Sequence, residues 1–330
     1  MNVYISLFVS ALTLIYSTGS WSVTDSECRL HLTEAEEVQS YLADFSRNLG
    51  IVTPQQQLDL SRKRIAIAGV GGIGGEALET LSEMGVGGFV LADPDHFERH
   101  NKNKQSAAND KTIGRLKVDV GEEDVKARNA FTKVKTMPEG INANNIDEFL
   151  SDVDLVVDGM DVFNMATRRL VFNRAMELGI PVVTVGPLGR TVAGLSFKPG
   201  GMTYDDYFDV NDQTPEQEHL IHFLVGLAPK YLHKGQIIKD YVDYHRQQAP
   251  AYATATKVAA GHIGEMVSAI LLNTHEVLPA PWSFQYDITS QRVRRVRLLF
   301  GNRGPLQRVR LALAKREWRA FIESKEPEVR

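Results

Sequence analysis

The chain carries a single cysteine, Cys28, among 330 residues. One thiol excludes an intramolecular disulfide and a four-cysteine zinc site. It also leaves a mechanism built on a cysteine nucleophile inside the folded domain without support. Charge of one sign is lacking as well: 37 Lys and Arg against 41 Asp and Glu give a formal net charge of -4. That balance argues against a protein held to nucleic acid by overall charge, although local patches are a separate matter. No apolar run has the length of a membrane-spanning helix. The nearest is residues 3–16, which has the length of a signal-peptide h-region but no Lys or Arg before it, so the positive n-region is missing. Residues 17–20 are small and would suit a cleavage region, which keeps secretion or membrane attachment open. The competing expectation for residues 1–31 is a segment packed on the main domain or on a partner. Repeats, low-complexity tracts and Pro-, Gly- or Ser-rich linkers are absent, so nothing separates two independent domains.

What is present has the composition of an ordinary globular protein, 43% hydrophobic and 24% charged. Residues 32–49 read as a helix, with Thr33 as N-cap and Glu36 completing a capping box. Thr53-Pro54 starts a second, short helix. The run Arg64-Ile65-Ala66-Ile67-Ala68 has the continuous apolar character of a buried parallel strand. From there the pattern alternates: helix 76–84, strand 89–92, helix 114–130, strand 154–157, helix 165–178, strand 182–185. Strand and helix taking turns at this spacing predict a doubly wound, Rossmann-like α/β fold, a mainly parallel sheet with helices on both faces. Beyond Pro187 the rhythm changes. A strand at 192–197 is followed by a polar stretch, 204–218, that reads as a loop or lid, then by a long apolar helix at 253–272. Segments 283–288 and 294–300 read as a closing, antiparallel pair. Residues 301–330 form a basic C-terminal helix.

Three clusters carry chemistry. Gly69, Gly71, Gly72 and Gly74 sit between a strand and a helix, where they permit a tight turn and let backbone amides approach a phosphate at the positive helix end. Asp93, ending the next strand, stands where an acidic residue bonds a ribose hydroxyl. This much fits NAD as well as ATP. The run Asn101-Lys102-Asn103-Lys104-Gln105 and then Lys117 add cations that a bridging diphosphate does not require and a triphosphate does. An ordinary solvated surface is the alternative for these lysines, most of all for Lys102. Asp158 and Asp161 follow at a later strand end, facing the ligand side of an open sheet. A carboxylate beside phosphates implies a divalent cation between them, and Mg2+ is the usual one. Asp161 also suits a helix cap, and Asp158 a structural role.

In this order the residues resemble the ThiF/MoeB superfamily, which includes the adenylation domains of ubiquitin-activating enzymes. The match runs through Arg47, the Gly69–Gly74 loop, Asp93-Pro94-Asp95, the Asn101–Gln105 run, Lys117 and Asp161, over roughly residues 40–190. Gly226-Leu227-Ala228-Pro229, Ala280-Pro281-Trp282-Ser283-Phe284 and Gly301-Asn302-Arg303-Gly304 are similar to a bacterial subgroup of ThiF-like proteins. The resemblance implies an ATP-binding adenylation domain over 32–300, with a nucleotide half at about 40–190 and an acceptor-side half at about 191–300. It implies that Gly72, Asp93 and Lys117 contact ATP and that Arg47, Asn103 and Lys104 neutralise its phosphates. Asp161 would hold Mg2+, and Gly69, Gly71, Gly74, Asp95, Asn101 and Gln105 would complete the binding set. In the family the N-terminal arginine reaches across a dimer interface, which implies a homodimer with Arg47 serving the partner's site.

There are departures: Lys104 stands for an arginine, Asp161-Val162 for Asp-Asn, and Cys-x-x-Cys pairs are missing. The expected activity is ATP- and Mg2+-dependent adenylation of a carboxylate, on a peptide, a small carrier protein or a small molecule, without a cysteine relay. A cytoplasmic location follows from the use of ATP. Competing readings are an NAD-dependent oxidoreductase, a non-catalytic interaction module, and adenylation of a modified tRNA base. For the last, the C-terminal cluster Arg292, Arg294, Arg295, Arg297, Arg303, Arg308, Arg310, Lys315, Arg316 and Arg319 would track a phosphate backbone, or simply form the solvated face of a strand and a final helix. Tyr204 to Asp209 is expected to close over the acceptor or to be an ordinary loop. The pairs His96 and His100, and His219 and His222, have metal-like spacing but no third ligand, and read as surface or packing residues.

Overall fold

The computed structural model describes residues 33–243 and 249–323. The apolar segment 3–16 and Cys28 lie outside the described residues. Contacts divide the chain into a unit ending at Ala43 and one from Asp44 onward. Of the first unit the described part is the start of helix α1 (Glu34–Asp44), shorter than expected. Its capping box is present: Thr33 N donates to Glu36 Oε2 at 2.7 Å, and Glu36 N to Thr33 Oγ1 at 3.4 Å.

The second unit is built on one eight-stranded sheet with the order β3-β2-β1-β4-β5-β6-β7-β8. The strands are β1 (Arg64–Ala68), β2 (Gly88–Ala92), β3 (Lys133–Met137), β4 (Leu155–Asp158), β5 (Val182–Leu188), β6 (Thr191–Phe197), β7 (Trp282–Asp287) and β8 (Arg292–Arg297). Strands β1 to β5 pair in parallel, and β5 to β8 pair antiparallel. The helices are α2 (Pro54–Leu60), α3 (Gly72–Glu83), α4 (Lys117–Arg128), α5 (Ile146–Phe149), α6 (Met165–Glu177), α7 (Tyr204–Phe208), α8 (Glu216–Leu227), α9 (Ala253–Leu272) and α10 (Pro305–Glu323). Parallel strands need helical crossovers, which bury both faces, so Ile65, Ala66, Ile67 and Ala68 are all fully buried. One face packs α6, α7 and α8 through Phe172, Phe197 and Phe223, and the other packs α3, α4 and α9 through Leu78, Val118 and Ile263. The doubly wound fold with an antiparallel extension is as expected. Both halves of the expected domain share this sheet, and their division at 190 and 191 falls in the β5–β6 hairpin.

Three elements escaped the sequence reading, the one-turn helix α5 among them. β3, Lys-Val-Lys-Thr-Met, is an edge strand whose alternating lysines hide its apolar face. α8 begins inside the stretch read as polar loop. The expected lid at 204–209 is corrected: it is the short helix α7, with Tyr204, Tyr207 and Phe208 at 0% exposure. Spacing of i, i+3 and i+4 puts these three rings on one helical face, where they meet Phe172, Phe197 and Phe223. A turn anchored by three buried rings has no freedom to open and close. Its outward acids are paired instead, Asp205 with Arg169 and Asp206 with Arg303.

Strand order reverses between β1 and β4, and the chain leaves both at their carboxyl ends. That crevice is where an open α/β sheet takes its ligand.

Candidate active site

The glycine turn occupies the crevice. Gly69 has φ +86°, and a Cβ there would fall 2.7 Å from the Gly159 carbonyl of the turn after β4. A Cβ on Gly74 would fall 1.7 Å from the Gly69 carbonyl, so only glycine allows α3 to start this close to β1. The first turn of α3 carries no acidic residue. Its amides therefore present the positive end of the helix dipole unopposed.

Asp93, just past β2, is 5% exposed and tied to this turn. Its Oδ2 accepts from Val70 N at 2.7 Å and its Oδ1 from Asp95 N at 2.9 Å. Burial holds its carboxyl above the ordinary range, against the opposing pull of Lys117 and the two amides. Lys117 opens α4 and is itself buried. Its Nζ lies 2.7 Å from Asp95 Oδ2 and 3.8 Å from Asp93 Oδ2. The same ammonium is 3.9 Å from the point a Cβ on Gly71 would occupy, and Gln105 Nε2 is 3.6 Å from it. Gln105 is 7% exposed, and its Oε1 has no partner among the described residues. A buried amide beside an anion cradle is placed to hydrogen-bond a ligand there.

Across the crevice, Asp158 is saturated. It accepts from Arg168 Nε at 2.9 Å, Thr184 Oγ1 at 2.8 Å and Met160 N at 3.2 Å. Arg168, 2% exposed, also donates to the carbonyls of Met160 and Asp161. Asp158 is thus structural, and Arg168 fixes the turn that presents Asp161. Asp161 is exposed, with Oδ1 accepting from Phe163 N at 3.1 Å. It does not cap α6, whose N-cap is Asn164.

The run 101–105 divides by role. Asn101 is buried, and its Oδ1 accepts from Glu98 N inside a 3-10 turn. Lys102 pairs with Asp110 on the surface. Asn103 Nδ2 donates to Ala251 O at 3.2 Å. The Lys104 carbonyl lies 3.7 Å from the Cβ point of Gly72; the residue is half-buried, and its ammonium has no partner among the described residues. The structure therefore brings Lys104, Gln105, Lys117 and the turn bearing Asp161 to one glycine loop.

Arg47 is not brought there. It is exposed in a 3-10 turn whose Asn48 bonds the Met84 carbonyl at the far end of α3. Gly72 and Glu83 are the two ends of a helix of 12 residues, roughly 16 Å apart at 1.5 Å per residue. One arginine side chain does not span that.

A cavity of about 280 Å3 opens beside the loop between α3 and α4, lined by Val70, Gly71, Gln105, Lys117, Gly121 and Arg128 among others. A larger, open recess of about 690 Å3 lies at Asp147, Asp154, Arg174 and Ile180. It faces the amino ends of β4 and β5, where no glycine turn stands and the lining cation, Arg174, is already paired with Asp147 and Glu177, so the smaller space belongs with the chemistry.

Sequence reading missed Glu76, Ser106, Lys257 and Arg168. Glu76 Oε1 accepts from Ser106 N at 2.8 Å and Ser106 Oγ at 2.7 Å, and its Oε2 from Lys257 Nζ at 2.9 Å. No local pattern announces a pair 181 positions apart. A charged residue on the inner face of α3 was the available signal.

The chain matches the model of the ThiF family over residues 45–305, and it belongs to that family. It is 33% identical to the sulfur carrier protein adenylyltransferase of Thermus thermophilus over 40% of this chain and 48% of that one. It is 30% identical to the tRNA threonylcarbamoyladenosine dehydratase of Haemophilus influenzae over 48% of this chain and 60% of the relative. The chain thus spans about half to three fifths of the length of these two curated relatives. Among solved structures, E. coli MccB with ATP aligns at a TM-score of 0.57 and 19% identity, covering 78% of this chain and 71% of that one.

Proposed function

We propose that this chain is an ATP-dependent adenylyltransferase that activates a carboxylate as an acyl-adenylate and releases pyrophosphate. The observation that carries the reading is the convergence of Lys117, Gln105 and the Lys104 backbone on one glycine turn, opposite the turn bearing Asp161. An acceptor carboxylate oxygen attacks the α-phosphorus. The new O–P bond forms as the bond to the β-phosphate's bridging oxygen breaks, and the electron pair leaves on pyrophosphate. No proton moves, because the carboxylate is already ionised at neutral pH. The α3 amides and Lys117 hold the phosphates, and Lys104 faces the charge that grows on the leaving group.

Asp161 suits a magnesium ion. Its second oxygen is exposed, and this metal binds through one or two carboxylates together with substrate phosphates. No three-ligand cluster capable of holding a metal alone occurs among the described residues. Bound there, the ion would supply charge neutralisation on the leaving phosphates.

The acceptor we favour is the C-terminus of a peptide or small carrier protein, as the names of the Thermus thermophilus relative and its kin indicate for those proteins. The exposed arginines of β8 support a second reading, a carboxylate on a tRNA base. Arg47, out of reach of its own loop, serves the site of a second copy in a homodimer. No helix among the described residues is long and apolar enough to cross a membrane, and the use of ATP assigns the enzyme to the cytoplasm.

Thermal shift separates this reading from an NAD enzyme, since a ligand of the native state raises Tm. ATP with Mg2+ is expected to raise it and NADH to leave it unchanged. Pyrophosphate exchange into ATP, supported by a pool of free-carboxylate peptides and not by deacylated tRNA, then identifies the acceptor class. Stabilisation by NADH alone removes the proposal.

A further inference from the structure

The loop that carries Lys104 and Gln105 is held by a closed triangle of charge and hydroxyl. Glu76 lies on the second turn of α3 and is 5% exposed. One carboxylate oxygen takes both the amide and the hydroxyl of Ser106, and the other takes Lys257 Nζ. Lys257 closes the figure by donating to Ser106 Oγ at 2.8 Å. A carboxylate inside the packed face of α3 is costly unless every oxygen is bonded, and an apolar side chain there would pack without that cost. Bonded on both oxygens, the carboxylate holds the geometry of the loop.

Two further contacts tie the same three pieces together. Asn103 Nδ2 bonds the Ala251 carbonyl, and Thr256 Cγ2 lies 3.7 Å from the Cβ point of Gly72. The loop, the amino end of α3 and the first turn of α9 therefore share one set of bonds. Lys104 makes that set matter. A lysine is a point charge on a flexible stem, without the planar fork that would orient an arginine on a phosphate. Its placement rests on the backbone of residues 104–106, and that backbone rests on Glu76.

We propose that Lys257, acting through Glu76 and Ser106, is a positioning residue that sets the 103–106 loop on the departing pyrophosphate. The proposal rests on the adenylation reading above. Lys257 touches no phosphate in this account; it acts on the loop. The α3 amides are held by the helix itself and Lys117 by α4, so loss of the tether moves the loop more than the rest of the nucleotide cradle and weighs more on leaving-group stabilisation than on ground-state binding of ATP. Misplacement of a catalytic group by about 1 Å costs on the order of a hundredfold in rate.

The test compares Lys257→Met, Lys257→Arg and Glu76→Gln in the full chain, with ATP, Mg2+ and the free-carboxylate peptide pool. Lys257→Met and Glu76→Gln are expected to lower kcat for pyrophosphate exchange by about ten- to a hundredfold, with KM for ATP changing less than about threefold. Lys257→Arg is expected to restore most of the rate. Hydrogen exchange of the Ser106 amide, which donates to Glu76, is expected to be faster in Lys257→Met. Unchanged kcat in Lys257→Met, or a rise in KM with kcat intact, overturns the proposal. So does an unchanged Ser106 amide. If the wild type gives no exchange, the adenylation reading falls, and the Ser106 amide then decides the loop tether alone.

Discussion

Lys117 Nζ sits between two carboxylates, 2.7 Å from Asp95 and 3.8 Å from Asp93, on a side chain only 7% exposed. One ammonium thus joins the floor of the crevice, through Asp93 and the Val70 amide, to the glycine turn where phosphates arrive. Lys117→Ala is expected to lower pyrophosphate exchange by about 10²–10³-fold, the usual cost of one preorganised charge in a transition state. It also leaves Asp93 buried without its nearest cation, so its carboxyl rises further and Tm falls. Exchange kinetics and a melting curve on the same preparation check both halves, and full activity would remove Lys117 from the site.

Asp161→Asn is the opposite kind of variant. The amide keeps the acceptor for Phe163 N, and the residue is exposed, so Tm is expected to stay within about 2 °C of wild type. Charge is lost, and exchange is expected to fall by about 10²–10³-fold, with partial recovery at raised Mg2+. A magnesium titration of the exchange rate reads this directly; a wild-type curve refutes the role given to Asp161.

Most of the nucleotide side was legible in the sequence, because a strand, glycine spacing and strand-end acids are local patterns. The Gly69–Gly74 turn, Asp93, Lys117 and Asp161 lie where the alternation of strand and helix puts them. What was not legible is what depends on distant partners. Asn101 stands in the run read as nucleotide-binding, and only the structure shows that its Oδ1 closes its own turn by accepting from the Glu98 amide. Tyr204 to Phe208 reads as a polar loop because its acids are in view, while its three rings are spaced for a buried helical face. Arg168 sits on a helix with little amphipathic contrast, and only the fold reveals that it clamps the turn of Asp161.

Gly74→Ala and Gly72→Ala separate fold from binding within one motif. At Gly74 the methyl meets the Gly69 carbonyl at 1.7 Å, backbone against backbone, so α3 must shift. The expected cost is about 3 kcal/mol or more in urea unfolding. At Gly72 the nearest atoms are 3.7 Å away, an ordinary contact. That variant is expected to keep its stability and to lose ATP affinity, because the methyl stands where backbone meets phosphate. Urea midpoints and calorimetric titration with ATP check the contrast.

His219 predicts a pH dependence outside the site. Its Nε2 meets the Tyr204 hydroxyl at 2.9 Å, and burial, followed by Arg168 and Arg169, holds its pKa down to about 4. The folded group is depressed below the ordinary histidine value, so the unfolded chain binds the proton more readily between about pH 6.5 and 4. Stability from this group is full above pH 6.5 and is lost as pH falls toward 4, by roughly 1–3 kcal/mol. Burial lowers His262 and His233 in the same direction and adds to the slope. His219→Gln is expected to flatten the curve of urea midpoint against pH while retaining a partner for Tyr204; an unchanged curve contradicts this.

Arg47 yields the sharpest test of the dimer. Exposed beside Asn48, it stands at the far end of α3 from its own glycine turn. If it completes the site of a second copy, Arg47→Ala and Lys117→Ala are each inactive, yet each retains what the other lacks. In a mixed dimer one site has both residues lost and the other has both intact. Random exchange of subunits makes half the dimers mixed, so mixing equal amounts is expected to recover about a quarter of wild-type exchange activity. An arginine acting within its own chain would give no recovery at any mixing ratio. Sedimentation of the mixture shows whether subunits exchanged, so absence of recovery in an exchanged sample places Arg47 outside the partner's site.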